Sequence, residues 1–116
     1  MSPSQFVHDH DQLLAHAHST LAAAHAHDAA RLEAEALRLF EVLNEHVGAE
    51  RMDLRHVAPG DARLLERGQQ RIVDLVVELA ALAAGNPDDC RCDGFADRLV
   101  AQMILQADAE RRHLLA

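Results

Sequence analysis

Aromatic side chains are nearly missing from this chain: tryptophan and tyrosine are absent, and three phenylalanines occur among 116 residues. Hydrophobic residues nevertheless make up 49% of the sequence, so a core has to be built mainly from leucine, alanine and valine. Leucine and alanine favour helices, whereas strands are enriched in aromatic and β-branched residues. The composition therefore predicts an all-α fold, and the length suits one domain with a single core, residues 1–116.

Long apolar runs and excess positive charge are also lacking. The most apolar stretch, residues 72–84, is interrupted by Asp74 and Glu78, and it is shorter than the roughly 20 apolar residues that a transmembrane helix needs. The formal net charge is -8, which argues against nucleic acid and anionic membranes as partners, because both are negatively charged. Cations or basic partners suit this charge better. The N-terminus carries no visible secretory signal.

Cysteine is scarce, since Cys90 and Cys92 are the only two. Their spacing is too short for an easy disulfide, and it is not a standard zinc-binding pattern. We therefore expect a reducing, cytoplasmic location. A redox-active or soft-metal role for this pair stays open beside the simpler interpretation, an incidental pair in an exposed loop.

Turn and capping signals divide the chain into four helical segments. We predict helices at about 3–26, 29–56, 62–84 and 94–115. The signals that delimit them are Ser2-Pro3 and Asp28 before the first two helices, Pro59-Gly60-Asp61 between the halves, Gly85-Asn86-Pro87 after the third, and Asp93 as a cap of the fourth. Because short connections force consecutive helices to pack antiparallel, the predicted architecture is an up-down-up-down antiparallel four-helix bundle.

Each predicted helix places polar side chains within its apolar face. With about 100° of rotation per residue, the polar residues of these faces are His10 on the first helix, Glu50 on the second, Gln69 on the third, and Gln106, Glu110 and His113 on the fourth. On the second helix the face contains Val47 and places His46 towards one side, and on the third helix Gln70 points away. A buried, unpaired carboxylate costs on the order of several kcal/mol, so Glu50 needs a cation, a histidine or an arginine beside it. Four helices with this property indicate a shared interior site.

One motif occurs twice, with a single informative difference. The copies are His46-Val-Gly-Ala-Glu50-Arg and Gln106-Ala-Asp-Ala-Glu110-Arg, so glutamate and arginine are kept while histidine is replaced by glutamine. Positions i and i+4 lie about one turn apart on the same face of a helix. His46 and Glu50 are therefore spaced to bind one metal ion together.

These residues resemble the hemerythrin-like family, the HHE cation-binding domains, over nearly the whole chain. The family repeats a half in which an early histidine is followed by His-x-x-x-Glu on the next helix. The first half is matched by Asp9-His10-Asp11-Gln12-Leu13-Leu14 and by His46 with Glu50, and the second half runs from Gln69 to Gln106 and Glu110. Both histidine positions of that second half hold glutamine, which departs from the family pattern.

The resemblance implies metal ligands and a function. In the family, two non-heme irons are bridged by two carboxylates and held by terminal histidines. For this chain it implies His10, His46, Glu50 and Glu110 as ligands, with one metal favoured over two, and Gln69, Gln106 and His113 as additional or replacement ligands. Iron is the metal implied, and zinc or manganese suit the same ligands. The function would be sensing of O2, NO or redox state, or metal binding as such.

Two other classes of function stay open. A metal-free bundle, in which Gln69 and Gln106 hydrogen-bond to the glutamates, would be satisfied without an ion and would serve as a dimerisation or protein-interaction module. A homodimer or a protein partner is therefore not excluded. An enzyme acting on peroxide or oxygen is the third class, but the sequence offers no dedicated acid, base or substrate pocket beyond the same site.

Overall fold

Four α-helices make up the fold in a computed structural model that describes residues 3–85 and 91–114. They are α1 (Pro3–His25), α2 (Ala29–Leu54), α3 (Pro59–Gly85) and α4 (Arg91–Leu114). Helix α1 packs against α2 and α4, and α3 packs against the same two neighbours. This arrangement confirms the predicted all-α four-helix bundle. None of the described helices combines the length and apolarity needed to cross a bilayer.

The core is aliphatic, as the composition predicted. Leucine side chains from three helices, Leu39, Leu79 and Leu99, are completely buried, and alanines fill the places where helices approach closely. Six of the seven buried polar residues in the described ranges lie near one another, and the seventh, Thr20, donates to the backbone oxygen of His16 at 2.8 Å. The helices thus hold the polar side chains on a rigid apolar frame.

Helix α2 begins where the sequence predicted. The Asp28 side chain accepts a hydrogen bond from the backbone N–H of Arg31 at 3.2 Å, which satisfies one of the free donors of the first turn. Helices α1 and α2 end at His25 and Leu54, slightly before the predicted ends at 26 and 56. The Ser2 cap lies outside the described residues.

The predicted central turn at Pro59-Gly60-Asp61 was wrong. Helix α3 already begins at Pro59 and ends at Gly85, and the chain turns at residues 55–58 instead. Proline suits the first helical position because the backbone N–H that it lacks has no partner there. Asp61 then lies in the first turn, where a carboxylate interacts favourably with the helix dipole.

Helix α4 begins earlier than predicted, at Arg91. The expected Asp93 cap was therefore wrong, because Asp93 lies inside the first turn. Cys92 is not part of an exposed loop either: it is 4% exposed and packs in the hydrophobic core, as cysteine commonly does. Cys90 and the predicted stop at Asn86-Pro87 lie outside the described residues.

Candidate metal centre

Three helices bring four potential metal ligands together inside the bundle. His10 comes from α1, His46 and Glu50 from α2, and Glu110 from α4. All four are buried, with exposed fractions of 8%, 7%, 0% and 1% in that order. One ligand atom of each lies within 4.8 Å of the corresponding atoms of the others. The structure thus joins the four residues that the resemblance implied as ligands.

The distances within this group are short and nearly symmetrical. The Nε2 atoms of His10 and His46 are 3.2 Å apart, and Glu110 Oε1 lies 3.7 Å from each of them. Glu50 Oε1 is 2.7 Å from His46 Nε2 and 3.6 Å from His10 Nε2. The ring of Phe6 meets that of His10 edge-on, with centroids 3.9 Å apart, so the apolar part of the core helps to orient this histidine.

The carboxylates alter the proton affinity of the histidines. Burial lowers the pKa of His46, but the adjacent carboxylates of Glu110 and Glu50 outweigh this effect and raise that pKa to about 10. The pKa of His10 is raised by the same balance. Burial would raise the pKa of Glu50, yet His10 and His46 lower it to about 2. In the absence of a cation, protonated imidazole and ionised carboxylate therefore stabilise each other.

Several polar atoms of this group lack hydrogen-bond partners within the part of the chain that the structure describes. They are Glu110 Oε2 and the Nδ1 atoms of His10 and His46, whereas Glu50 Oε1 faces the imidazoles of His46 and His10. Buried polar atoms in folded proteins are nearly always partnered, so an unpaired carboxylate oxygen in the core requires an explanation. Two imidazole nitrogens and two carboxylate oxygens form a donor set that Fe²⁺, Mn²⁺ and Zn²⁺ all accept. The residues therefore fit a divalent cation.

Gln69 hydrogen-bonds to Glu50 and is not a member of the four-ligand group. Its Nε2 donates a hydrogen bond to Glu50 Oε2 at 2.5 Å, and both side chains are buried. The carboxylate can only accept, so the amide nitrogen has to face it. One oxygen of Glu50 is thus held by Gln69 while the other faces the histidines, and Gln69 acts as a support for a ligand.

Gln106 is turned away from the carboxylates. Its Nε2 donates to the backbone oxygen of Leu65 at 2.9 Å, and its amide lies directly over Gly68. A Cβ at position 68 would fall 1.8 Å from Gln106 Oε1, so the absence of a side chain at this glycine makes the contact possible. Gln106 therefore ties α4 to α3 in this arrangement and lies outside the four-ligand group.

The prediction that His113 faces inward was wrong. Its side chain is 37% exposed, and Nδ1 lies 3.8 Å from Asp61 Oδ2 at the start of α3. Three residues beyond Glu110 correspond to about 300° of rotation, which keeps His113 on nearly the same side of α4. It lies in the last turn of α4, however, beside the first turn of α3, where it meets Asp61 and not the buried carboxylates. It is not positioned to replace a ligand.

Two supporting residues were missed from the sequence, Gly68 and Phe6. A glycine in the middle of a helix usually has a packing reason, so Gly68 in α3 could have indicated a close contact with a neighbouring helix. The contact between Phe6 and His10, four residues apart on α1, was also within reach of helical periodicity.

A small cavity adjoins three of the four side chains. Its volume is about 20 Å³, and it is bordered by His10, His46 and Glu110 together with apolar residues such as Ile72 and Met103. A polar cavity of about 10–15 Å³ is enough for one water molecule. The space beside the candidate metal centre therefore suits a single small molecule.

No family model, curated protein or solved structure matches this chain. Its function is therefore inferred from the buried side chains themselves.

Proposed function

We propose that this protein is a hemerythrin-like metal-binding bundle that holds one divalent cation between His10, His46, Glu50 and Glu110. Non-heme iron is the first candidate, and zinc or manganese suit the same donors. The observation that carries this proposal is the convergence of four buried ligand atoms within 4.8 Å of one another. The Glu110 Oε2 atom, which has no hydrogen-bond partner among the described residues, supports it.

One ion fits this chain better than two. A second ion would need further imidazoles, but Gln69 and Gln106 occupy the two corresponding positions. Both amides are engaged through their nitrogen atoms, with Glu50 and with the Leu65 backbone respectively. A neutral amide oxygen is in any case a weak ligand for a transition metal. The two carboxylates match the charge of a single divalent cation.

A role in sensing O2, NO or redox state, or in holding metal as such, suits the space around the site. When bound, iron would supply one-electron redox chemistry and affinity for small diatomic molecules. The adjoining cavity of about 20 Å³ admits one small molecule and excludes a larger substrate. Ile72 and Met103 make part of the wall of this cavity apolar.

A metal-free interaction module is the second candidate. Two contacts favour it: Gln69 donates to Glu50, and His46 Nε2 lies 2.7 Å from Glu50 Oε1, so much of the network is satisfied by protein groups. On this reading His46→Ala leaves the metal content unchanged, because there is none to lose. On the first reading the same variant loses the ion.

Elemental analysis of protein purified without chelator, followed by titration of the apoprotein with Fe²⁺, Zn²⁺ or Mn²⁺, tests the proposal. We expect one ion per chain and a higher melting temperature in the presence of metal, since ligand at 100 times its Kd stabilises by about 2.7 kcal/mol. His10→Ala should abolish uptake. His18→Ala is the matched control, because His18 is exposed on the same helix. A wild-type protein that takes up none of the three metals would refute the proposal.

A further inference from the structure

Three surface grooves border residues of the metal centre, and a cation must enter from the surface because all four ligands are buried. The groove between α1 and α2 has a volume of about 210 Å³ and reaches His46. The groove between α1 and α4, of about 260 Å³, reaches His10. The groove between α2 and α3, of about 390 Å³, reaches Gln69.

Charge separates the α1/α2 groove from the other two. Asp9 and Glu45 line it together with His46 but without arginine or lysine, and the α1/α4 groove likewise has a histidine, His10, in its lining. Asp9 accepts a hydrogen bond from the neutral amide of Gln5 at 2.7 Å, which leaves the negative charge of Asp9 in place. Gln12 adds a further oxygen ligand at its wall. Two carboxylates and an amide are donors that a hydrated divalent cation accepts.

The other two grooves are closer to neutral. In the α1/α4 groove, Arg111 pairs with Asp108, and Asp11 is the remaining acid of the lining. The lining of the α2/α3 groove contains one basic residue, Arg51, and one acidic residue, Glu66. A cation approaching either groove meets a positive charge at the surface, which weakens electrostatic attraction.

His46 connects the α1/α2 groove to the interior. It is 7% exposed and lines the groove, while its Nε2 lies in the four-ligand group and its Nδ1 has no hydrogen-bond partner among the described residues. Leu13 also borders both the groove and the inner cavity. These two residues are the ones that the linings of the groove and the inner cavity share.

We propose that the α1/α2 groove, through Asp9 and Glu45, is the capture site at which a divalent cation binds before it passes His46 to the metal centre. This inference rests on the proposed function. Clefts of one charge raise association rates by about 10- to 1,000-fold. Neither carboxylate belongs to the four-ligand group, so the two act on the rate of entry more than on the final coordination.

Uptake kinetics of Zn²⁺ by the apoprotein, followed by competition with a weak, fast-exchanging zinc dye, test this site. We expect Asp9→Asn/Glu45→Gln to load about tenfold more slowly at low ionic strength. The matched control, Asp11→Asn/Glu66→Gln, removes the same charge from the other two grooves and should load at nearly the wild-type rate. The difference should shrink with added salt, because charges at the surface are screened over about 10 Å at 0.1 M.

A steric variant tests the route independently of charge. Ala49 is exposed and lines the α1/α2 groove, so Ala49→Trp should fill the groove and slow zinc uptake and zinc release by the same factor, with the affinity unchanged. Ala34→Trp, at an exposed position elsewhere on α2, should alter neither rate. Comparable affinity in both variants shows that they fold.

The outcomes separate this inference from the proposed function. Full zinc uptake at equal rates in both charge variants overturns the capture site and leaves the metal centre standing. Slower loading in the Asp11→Asn/Glu66→Gln control alone overturns it as well, since entry then follows another groove. A wild-type protein that binds no zinc at equilibrium refutes the metal centre itself.

Discussion

Gln69 supports Glu50 through one buried hydrogen bond, and its replacement by leucine isolates that contact. Leucine removes the donor without opening a large cavity, so Glu50 Oε2 loses the partner that now lies at 2.5 Å. Glu50 is fully buried, and water cannot readily take the place of the amide. A hydrogen bond to a charged group contributes about 1.5–3 kcal/mol. We expect the free energy of unfolding of the apoprotein to fall by about 2 kcal/mol.

Gln106→Leu is the matched control for this experiment. Gln106 is equally buried, but it donates to the backbone oxygen of Leu65, which helical geometry already supplies with an intrahelical donor. A neutral hydrogen bond contributes only about 0.5–1.5 kcal/mol, and no charge is left unpaired. Urea unfolding of the two variants should therefore rank Gln69→Leu as clearly less stable than Gln106→Leu.

The same two variants should also differ in metal affinity. Residues that orient a ligand typically change metal affinity by about 10- to 100-fold when they are removed, and Gln69 is the residue that fixes Glu50. We expect a loss of this size for zinc in Gln69→Leu and almost none in Gln106→Leu, measured by competition with a chelator. Equal losses in both variants, or an unchanged affinity in Gln69→Leu, would refute the supporting role of Gln69.

Three further outcomes are expected. Gly68→Ala should displace the Gln106 amide in the otherwise wild-type protein. In a Gln106→Ala background the same change should stabilise the fold by up to about 1 kcal/mol through helix propensity. Additive effects of the two substitutions in a double-mutant cycle would contradict the contact between Gly68 and Gln106. The pKa of His46 is raised from 6.5 to about 10, so His46 should stabilise the apoprotein fully below pH 6.5 and lose this effect as the pH rises through 10. The pKa of Glu50 is lowered from 4.5 to about 2, so Glu50 should stabilise the apoprotein above pH 4.5 and lose this effect as the pH falls towards 2. Urea midpoints should thus be highest between these limits, and a steady rise from pH 6.5 to 9 argues against the His46 shift. Zinc binding at pH 8 should release at least one proton per ion, from His46. Calorimetry in two buffers of different ionisation enthalpy measures this release. A release of zero would show that His46 was already neutral.

Helical periodicity was sufficient to predict which residues reach the interior where the apolar pattern is regular. It separated Gln69 from Gln70 correctly: Gln69 is buried, and Gln70 is exposed and donates to Asp74 at 2.9 Å. It also placed Glu50 and Glu110 inside, although carboxylates are rarely buried. The positions of the surrounding leucines decided these assignments, and the bundle geometry preserved them.

Periodicity failed where a choice depended on the neighbouring helix. It placed Val47 in the buried face and His46 towards its side, whereas the structure buries His46 and leaves Val47 partly exposed. A straight helix drifts by about 20° per heptad relative to a bundle seam, so adjacent residues exchange places over a long helix. The carboxylates of α2 and α4 favour the histidine on the inner side. The direction of the Gln106 amide likewise depends on Gly68 and Leu65 of α3, which no pattern within α4 encodes.

The charge of the buried group links its metal-free state to its proposed loaded state. In the metal-free protein the raised pKa of His46, about 10, leaves its imidazole protonated at neutral pH beside the ionised Glu50. A bound divalent cation would displace this proton and supply positive charge to the same carboxylate in its place. Glu50 thus has a cationic neighbour in both states, so the bundle is not forced to open when an ion leaves. Because each proton displaced makes the apparent affinity change about tenfold per pH unit, acid should release the ion and alkali should retain it, on a scaffold whose helices keep their places.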